Sequence, residues 1–115
     1  MNNVVSIPHL SELEISVLVT VSTAHVSEQD SVLLNELSAH ELCHGDKHDC
    51  LGFLFGGNYG WIIKFSVDSW PSRLAEKGIS EGSISNLKNL AAAGAQGVIF
   101  DQDADRIDGL IIFEW

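Results

Sequence analysis

Basic residues are scarce in this chain of 115 residues. Six Lys and Arg stand against sixteen Asp and Glu, which gives a formal net charge of −10 at pH 7. The six cations are scattered, whereas binding to nucleic-acid phosphates requires clustered Lys and Arg. The sequence therefore argues against direct binding to nucleic acid, and an anionic membrane surface is disfavoured for the same reason. A basic protein surface, or a complex that itself binds nucleic acid, suits this charge better.

Long apolar runs and an export signal are also missing. No stretch approaches the roughly 20 apolar residues of a membrane-spanning helix. The opening sequence MNNVVSIPHL has neither a basic start nor an apolar run of signal-peptide type. There are only two cysteines, Cys43 and Cys50, and without an export signal free thiols or metal ligands are favoured over a disulfide. We therefore expect a cytoplasmic protein.

No catalytic signature is present. Ser22, Thr23 and His25 are close in sequence, but there is no G-x-S-x-G nucleophile elbow around them. Cys43 precedes His44, and adjacent residues rarely orient as a thiolate–imidazole pair. The Gly-Gly-Asn run at 56–58 lacks the lysine of a phosphate-binding loop. The sequence predicts a protein that is not an enzyme.

The hydrophobic content of 45% is sufficient for the core of one domain over residues 1–115. Apolar residues from Leu13 to Val21 alternate with polar ones, interrupted only by Leu18, which predicts a central strand. Ser27 is an N-cap candidate for a helix from about Glu28 to about Ala39. Later strands are predicted over 51–55 and 59–67, and a later helix carries the apolar positions Ile84, Leu87, Leu90 and Ala91.

The C-terminal residues resemble a β-hairpin in pattern. Two short apolar runs, Val98–Phe100 and Leu110–Phe113, flank a tip rich in aspartate and glycine. The predicted order is β-α-β-β-α-β-β, with an extra helical turn near Trp70. This predicts an α+β fold of split β-α-β type, with an antiparallel sheet that carries two main helices on one face. A free edge at Leu110–Trp115 would allow two copies to pair as a homodimer.

A loop rich in histidine and cysteine is the first candidate site. Zinc prefers thiolate and imidazole ligands in a tetrahedron, and one short segment supplies five such side chains: His40, Cys43, His44, His48 and Cys50. Their spacing is not a standard zinc pattern. The alternatives are therefore a zinc site and a solvated polar loop.

The aspartate-rich tip is the second candidate site. Its carboxylates are Asp101, Asp103, Asp105 and Asp108. Three of them recur at alternate positions, as in a calcium loop, but Arg106 occupies the position of the obligatory glycine. The other two interpretations are a solvated turn and an acidic patch that docks on a basic partner. An exposed Trp70 beside Pro71 would add an anchor to such an interface, although core packing is the simpler role for this tryptophan.

Three phrases of the sequence resemble a known family: STAHVSEQD after the first strand, NYGWIIKF in the middle and FDQDADRIDGLIIFEW at the end. The family comprises small uncharacterised domains encoded on phages, plasmids and integrative elements. Its members share a strand–STAH–helix opening, a YGW strand and an aspartate-rich C-terminal hairpin. The Cys/His loop departs from that pattern, and the resemblance implies a context without assigning catalytic residues.

That context implies an accessory protein of a mobile genetic element. Such proteins include small acidic inhibitors of host defence, among them anti-CRISPR proteins that block a nucleic-acid-binding surface. The first hypothesis is therefore an acidic protein-binding inhibitor, with Asp101, Asp103, Asp105, Asp108 and Trp70 as partner-binding residues. The alternative is a small zinc-binding protein that uses the Cys/His loop.

Overall fold

A computed structural model describes residues 15–38, 53–56 and 60–115. These residues form β1 (Leu18–Ser22), α1 (Glu28–Ser38), β2 (Leu54–Gly56), β3 (Gly60–Lys64), α2 (Trp70–Glu76), α3 (Glu81–Ala92) and β4 (Gly97–Asp101). A single 3₁₀ turn, Thr23–His25, connects β1 to α1. The predicted α+β class is confirmed.

The sheet is mixed, so the prediction of an antiparallel sheet is wrong in part. The strand order is β1-β4-β3-β2, with β3 antiparallel to both of its neighbours. β4 lies between β1 and β3 and runs parallel to β1, with Leu18 opposite Gly97. As a result, β1 is an edge strand among the described residues and not the predicted central strand. The pairing of β1 with β4 begins only at Leu18. The N–H of Val17 donates to the side-chain oxygen of Gln96, and the carbonyl oxygen of Val17 accepts from the backbone N–H of Gln96, so Val17 does not continue the strand pairing.

The core lies on one face of the sheet. The register places Val21, Phe100 and Trp61 in one row across three strands, and all three side chains are buried. Ile63 and Val98 form the neighbouring row and are fully buried. The same apolar cluster contains Leu34 of α1 and Leu87 and Leu90 of α3. The two main helices therefore pack on this face, as their apolar stripes predict.

Gly60, the glycine of the Tyr-Gly-Trp phrase, has a steric role in the sheet. It lies opposite Asp101, where β3 pairs with β4. A Cβ atom at this position would lie 1.8 Å from the carbonyl oxygen of Phe100. Only glycine can occupy this place without displacing the β4 backbone.

Helices α1 and α3 begin at a shared group of polar side chains. The Ser27 hydroxyl accepts from the backbone N–H of Asp30 at 3.1 Å, which confirms Ser27 as the predicted cap of α1. The buried Asp30 carboxylate in turn accepts from the Ser80 N–H at 2.9 Å and the Ser80 hydroxyl at 2.5 Å. Ser83 also donates its hydroxyl to this carboxylate. Ser80 is the N-cap residue of α3, so one carboxylate joins the starts of two helices.

These hydrogen bonds determine the ionisation of Asp30. Burial alone raises the pKa of its carboxyl, but the hydrogen bonds from Ser80, Ser83 and Ser27 outweigh burial and hold the pKa below the usual 3.8. Asp30 is therefore ionised at neutral pH. Its negative charge also lies at the positive ends of two helix dipoles, where it is favourable.

The predicted C-terminal hairpin is absent. β4 forms, but Leu110–Phe113 lies outside any strand, and its backbone bonds to other parts of the chain. For example, the Phe113 N–H donates to the carbonyl oxygen of Ala24 at 2.8 Å. The strand edge at Leu110–Trp115 on which the homodimer hypothesis depended is therefore not present.

Trp70 is a core residue at the start of α2. Its side chain is only 6% exposed and stacks on Phe65 with ring centroids 4.5 Å apart. The predicted helical start at Trp70 and Pro71 is confirmed, but the prediction of Trp70 as an exposed interface anchor does not fit its burial. None of the helices in the described ranges is both long and apolar enough to cross a membrane.

Candidate interaction surface in the C-terminal segment

The four predicted aspartates lie on one surface loop, residues 101–108, which we call the acidic loop. It begins with a turn in which the Ala104 N–H donates to the Asp101 carbonyl oxygen at 3.1 Å. The Asp101 carboxylate accepts from the Asp103 N–H at 2.9 Å and reinforces this turn. The side chains of Asp103, Asp105 and Asp108 are exposed, and that of Asp101 is half-buried.

Hydrogen bonds from the STAH phrase hold the acidic loop in place. The Ser22 N–H donates to the carbonyl oxygen of Asp105 at 3.2 Å. The Nε2 atom of His25 accepts from the Ile107 N–H at 2.8 Å. His25 is fully buried, and its Nδ1 atom lies 3.0 Å from the carbonyl oxygen of Ile111. The end of β1 and the turn after it thus fix the loop that follows β4.

Asn86 of α3 holds the chain beyond the acidic loop. Its side-chain amide oxygen accepts from the Ile111 N–H at 2.7 Å, and its amide nitrogen donates to the Ile111 carbonyl oxygen at 2.9 Å. The same nitrogen donates to the backbone carbonyl of His25 at 2.9 Å. Further along, the indole N–H of Trp115 donates to the Val26 carbonyl oxygen at 3.0 Å. Residues 102–115, the C-terminal segment, are therefore positioned by side chains and by isolated backbone hydrogen bonds instead of by a β-ladder.

Apolar side chains of the C-terminal segment face solvent beside the aspartates. Ile107, Ile111 and Ile112 are 37–45% exposed, and Trp115 is 56% exposed. A crevice of about 200 Å³ separates the C-terminal segment from the end of β1, and it is lined by Ser22, Thr23, Ala24, Gln102, Arg106 and Trp115. The segment thus presents carboxylates and apolar side chains together on a fixed backbone.

The metal hypotheses for both candidate sites stay predictions. Among the described residues, no three His, Cys, Asp or Glu side chains are grouped so that they could hold a metal ion as they stand. His40, Cys43, His44, His48 and Cys50 lie outside the described residues. The zinc hypothesis therefore stays a prediction, which elemental analysis and the effect of a chelator on the melting temperature would test.

Comparison with protein families covers most of the chain. Residues 18–115 match a family of unknown function, DUF5983, over its C-terminal domain. The chain belongs to this family. The matched range begins at β1 and includes the whole C-terminal segment, and it confirms the expected resemblance to an uncharacterised domain family. No curated protein and no solved structure gives a significant match.

Sequence analysis missed the roles of His25 and Asn86 in this family member. The position of His25 near Ser22 and Thr23 gives no sign that both of its ring nitrogens contact the C-terminal segment. Asn86 lies four residues before Leu90 and therefore on the core-facing side of α3. The sequence signal for such a role is that Asn86 is a polar residue on an otherwise apolar helix face, because a buried amide requires hydrogen-bond partners.

Proposed function

We propose that this protein is a small acidic protein-binding module whose C-terminal segment docks on a basic surface of its partner. The observation that supports the proposal is the way the segment is held. Buried polar side chains fix its backbone, while its aspartates, isoleucines and Trp115 remain exposed. A surface that is ordered before binding loses less conformational entropy when the partner arrives.

The composition of the segment is that of a protein interface. Exposed Trp and Ile side chains supply apolar area, and tryptophan is over-represented among residues that dominate binding energies. The surrounding carboxylates steer association with a positively charged partner and select against acidic ones. With a net charge of −10, the chain is repelled by nucleic-acid phosphates, so the proposed partner is a protein.

The more specific proposal concerns the biological context. The resemblance to domains carried by phages, plasmids and integrative elements supports a role as an inhibitor of a host defence complex. In that role the acidic loop would occupy a basic surface that otherwise binds nucleic acid, as anti-CRISPR proteins do. This mode of action requires no catalytic residue in the chain.

Affinity capture tests the proposal. The tagged protein is incubated with lysate of a bacterium that carries such a defence complex, at about 50 mM and about 500 mM NaCl, and captured proteins are quantified by mass spectrometry. We expect a basic, nucleic-acid-binding complex to be retained at low salt and mostly lost at high salt. D103K/D105K should abolish this capture, because the charges of two exposed carboxylates of the acidic loop are reversed.

The matched control reverses two exposed carboxylates elsewhere, Glu36 on α1 and Glu76 on α2, so that the net charge changes equally. E36K/E76K should retain the partner. Equal loss in both double variants would mean that net charge, and not the acidic loop, governs capture. A third variant, I112S, removes exposed apolar area and should weaken capture at both salt concentrations.

A further inference from the structure

His25 is held between two backbone groups that require opposite roles of its ring nitrogens. The Ile107 backbone nitrogen can only donate, so the Nε2 atom 2.8 Å away must accept and carry no proton. The carbonyl oxygen of Ile111 can only accept, so the Nδ1 atom 3.0 Å away must carry the proton and donate. The structure therefore requires the neutral Nδ1–H tautomer of His25.

Protonation of His25 is incompatible with this arrangement. The imidazolium carries a proton on each nitrogen, so Nε2–H would point at the N–H of Ile107. A hydrogen bond would then be replaced by two opposed donors in a site where the histidine is fully buried. Among the described residues, the hydrogen bonds of the ring are with Ile107 and Ile111 alone, so no acceptor is bonded to Nε2 in this arrangement.

We propose that His25 is a proton-sensitive latch for the C-terminal segment, which closes on neutral imidazole and releases the segment when the ring is protonated. The ring is held on one side by Ile107 of the acidic loop and on the other by Ile111. Both contacts are to backbone groups of the C-terminal segment, so their loss acts on that segment at Ile107 and Ile111 and not on the pairing of the strands. The latch itself is independent of any partner, and only its effect on docking rests on the proposed function.

The neighbouring charged groups do not take part in the latch. None of those on the adjoining elements makes a hydrogen bond or ion pair with the ring within the described ranges: Glu28 and Asp30 on α1, Glu81 and Lys88 on α3, and Asp101, Asp103, Asp105, Arg106, Asp108 and Glu114 along β4 and the C-terminal segment. The Asp30 carboxylate is already bonded to Ser80 and Ser83. Protonation of His25 is thus the change that acts directly on the contact with Ile107.

Nuclear magnetic resonance of the isotopically labelled full chain tests the latch without a partner. Long-range ¹H–¹⁵N spectra identify the tautomer of His25 at pH 8, and we expect Nδ1–H. When the pH is lowered from 8 to 5, the amides of Ile107, Ile111 and Phe113 should lose hydrogen-exchange protection by about tenfold or more. The protection factors are normalised for the intrinsic pH dependence of exchange.

Two internal comparisons make the test specific. The indole N–H of Trp115 bonds to Val26 within the latched region, whereas that of Trp61 bonds to Asn35 of α1 at 2.8 Å. Acidification should shift the Trp115 indole resonance and leave that of Trp61 unchanged. The H25Q variant keeps an acceptor but cannot take up a proton, so its C-terminal segment should respond little to the same pH change.

Three results would overturn the latch: an Nε2–H tautomer at pH 8, protection factors of Ile107 and Phe113 that do not fall by pH 5, or the same fall in H25Q. The tautomer and the protection factors are measured on the unaltered chain, so they decide the matter even if H25Q does not fold. Because these readouts need no partner, their failure is distinct from a failed capture experiment.

Discussion

At the scale of single residues, Asp30 is the clearest case of a polar side chain that stabilises the fold. It is 1% exposed, yet its hydrogen bonds keep it ionised. Replacing it by asparagine retains one oxygen but places an amide group against the hydroxyls of Ser80 and Ser83. We expect D30N to lower the free energy of unfolding by about 1–3 kcal/mol at pH 7, as measured by urea denaturation. E28Q alters an exposed carboxylate of the same helical turn and should change stability by no more than about 0.5 kcal/mol.

The pH dependence of this effect has a definite sign. The pKa of Asp30 is lower in the folded chain than its usual 3.8, so its contribution is fully present above that value and is lost as the pH falls through the folded pKa. The stability difference between the unaltered chain and D30N should therefore be constant from pH 7 to about pH 5 and shrink below pH 3.8. A difference that widened on acidification would contradict this role.

Sequence alone could predict part of this arrangement. Ser27 is a recognisable cap because serine precedes acidic residues at a helix start, and this prediction is confirmed. The meeting of the two caps at Asp30 was not predictable, since Ser80 is 50 residues away along the chain. Only the tertiary fold brings these groups together.

At the scale of elements, the C-terminal segment depends on side chains of α3 for its position. N86A would leave the N–H of Ile111 and the carbonyl of His25 without their present partners. We expect this variant to lose hydrogen-exchange protection selectively at Ile111 and Phe113, while the amides of β3 and β4 stay protected. We also expect a loss of at least about 2 kcal/mol in unfolding free energy.

The control for this prediction is N89A on the same helix, because Asn89 is exposed and has no side-chain hydrogen bond among the described residues. N89A should leave Ile111 and Phe113 protected. Uniform loss of protection in N86A across the sheet would instead mean that the C-terminal segment and the sheet unfold as one unit.

Some of the helices and strands could be predicted from the sequence, and the conformation of the C-terminal segment could not. The approximate extent of α1 and the existence of α3 and β4 follow from periodicity and capping, and they are confirmed. Leu110–Phe113 has the composition of a strand, but strand formation requires a neighbouring ladder. Asn86 and His25 satisfy its backbone instead, and such partners are invisible to a local pattern.

At the scale of the whole molecule, the net charge of −10 opposes folding through self-repulsion. Added salt screens this repulsion, so the melting temperature should rise between about 20 mM and about 200 mM NaCl. Scanning calorimetry of the unaltered chain and of D103K/D105K checks this. The double variant carries less negative charge and should show a smaller rise. A fall in melting temperature with salt would indicate that favourable charge pairs dominate instead.

The contact of Asp30 with Ser80 and Ser83 has one more consequence for the chain. It links two positions that are 50 residues apart along the chain without a covalent bond, much as a disulfide would. The entropic cost of bringing two such positions together grows only slowly with the length of the segment between them, by about 0.6 kcal/mol for each doubling. Insertions in the connections between the helices and strands of this segment should therefore be tolerated better than any alteration of the three side chains Asp30, Ser80 and Ser83.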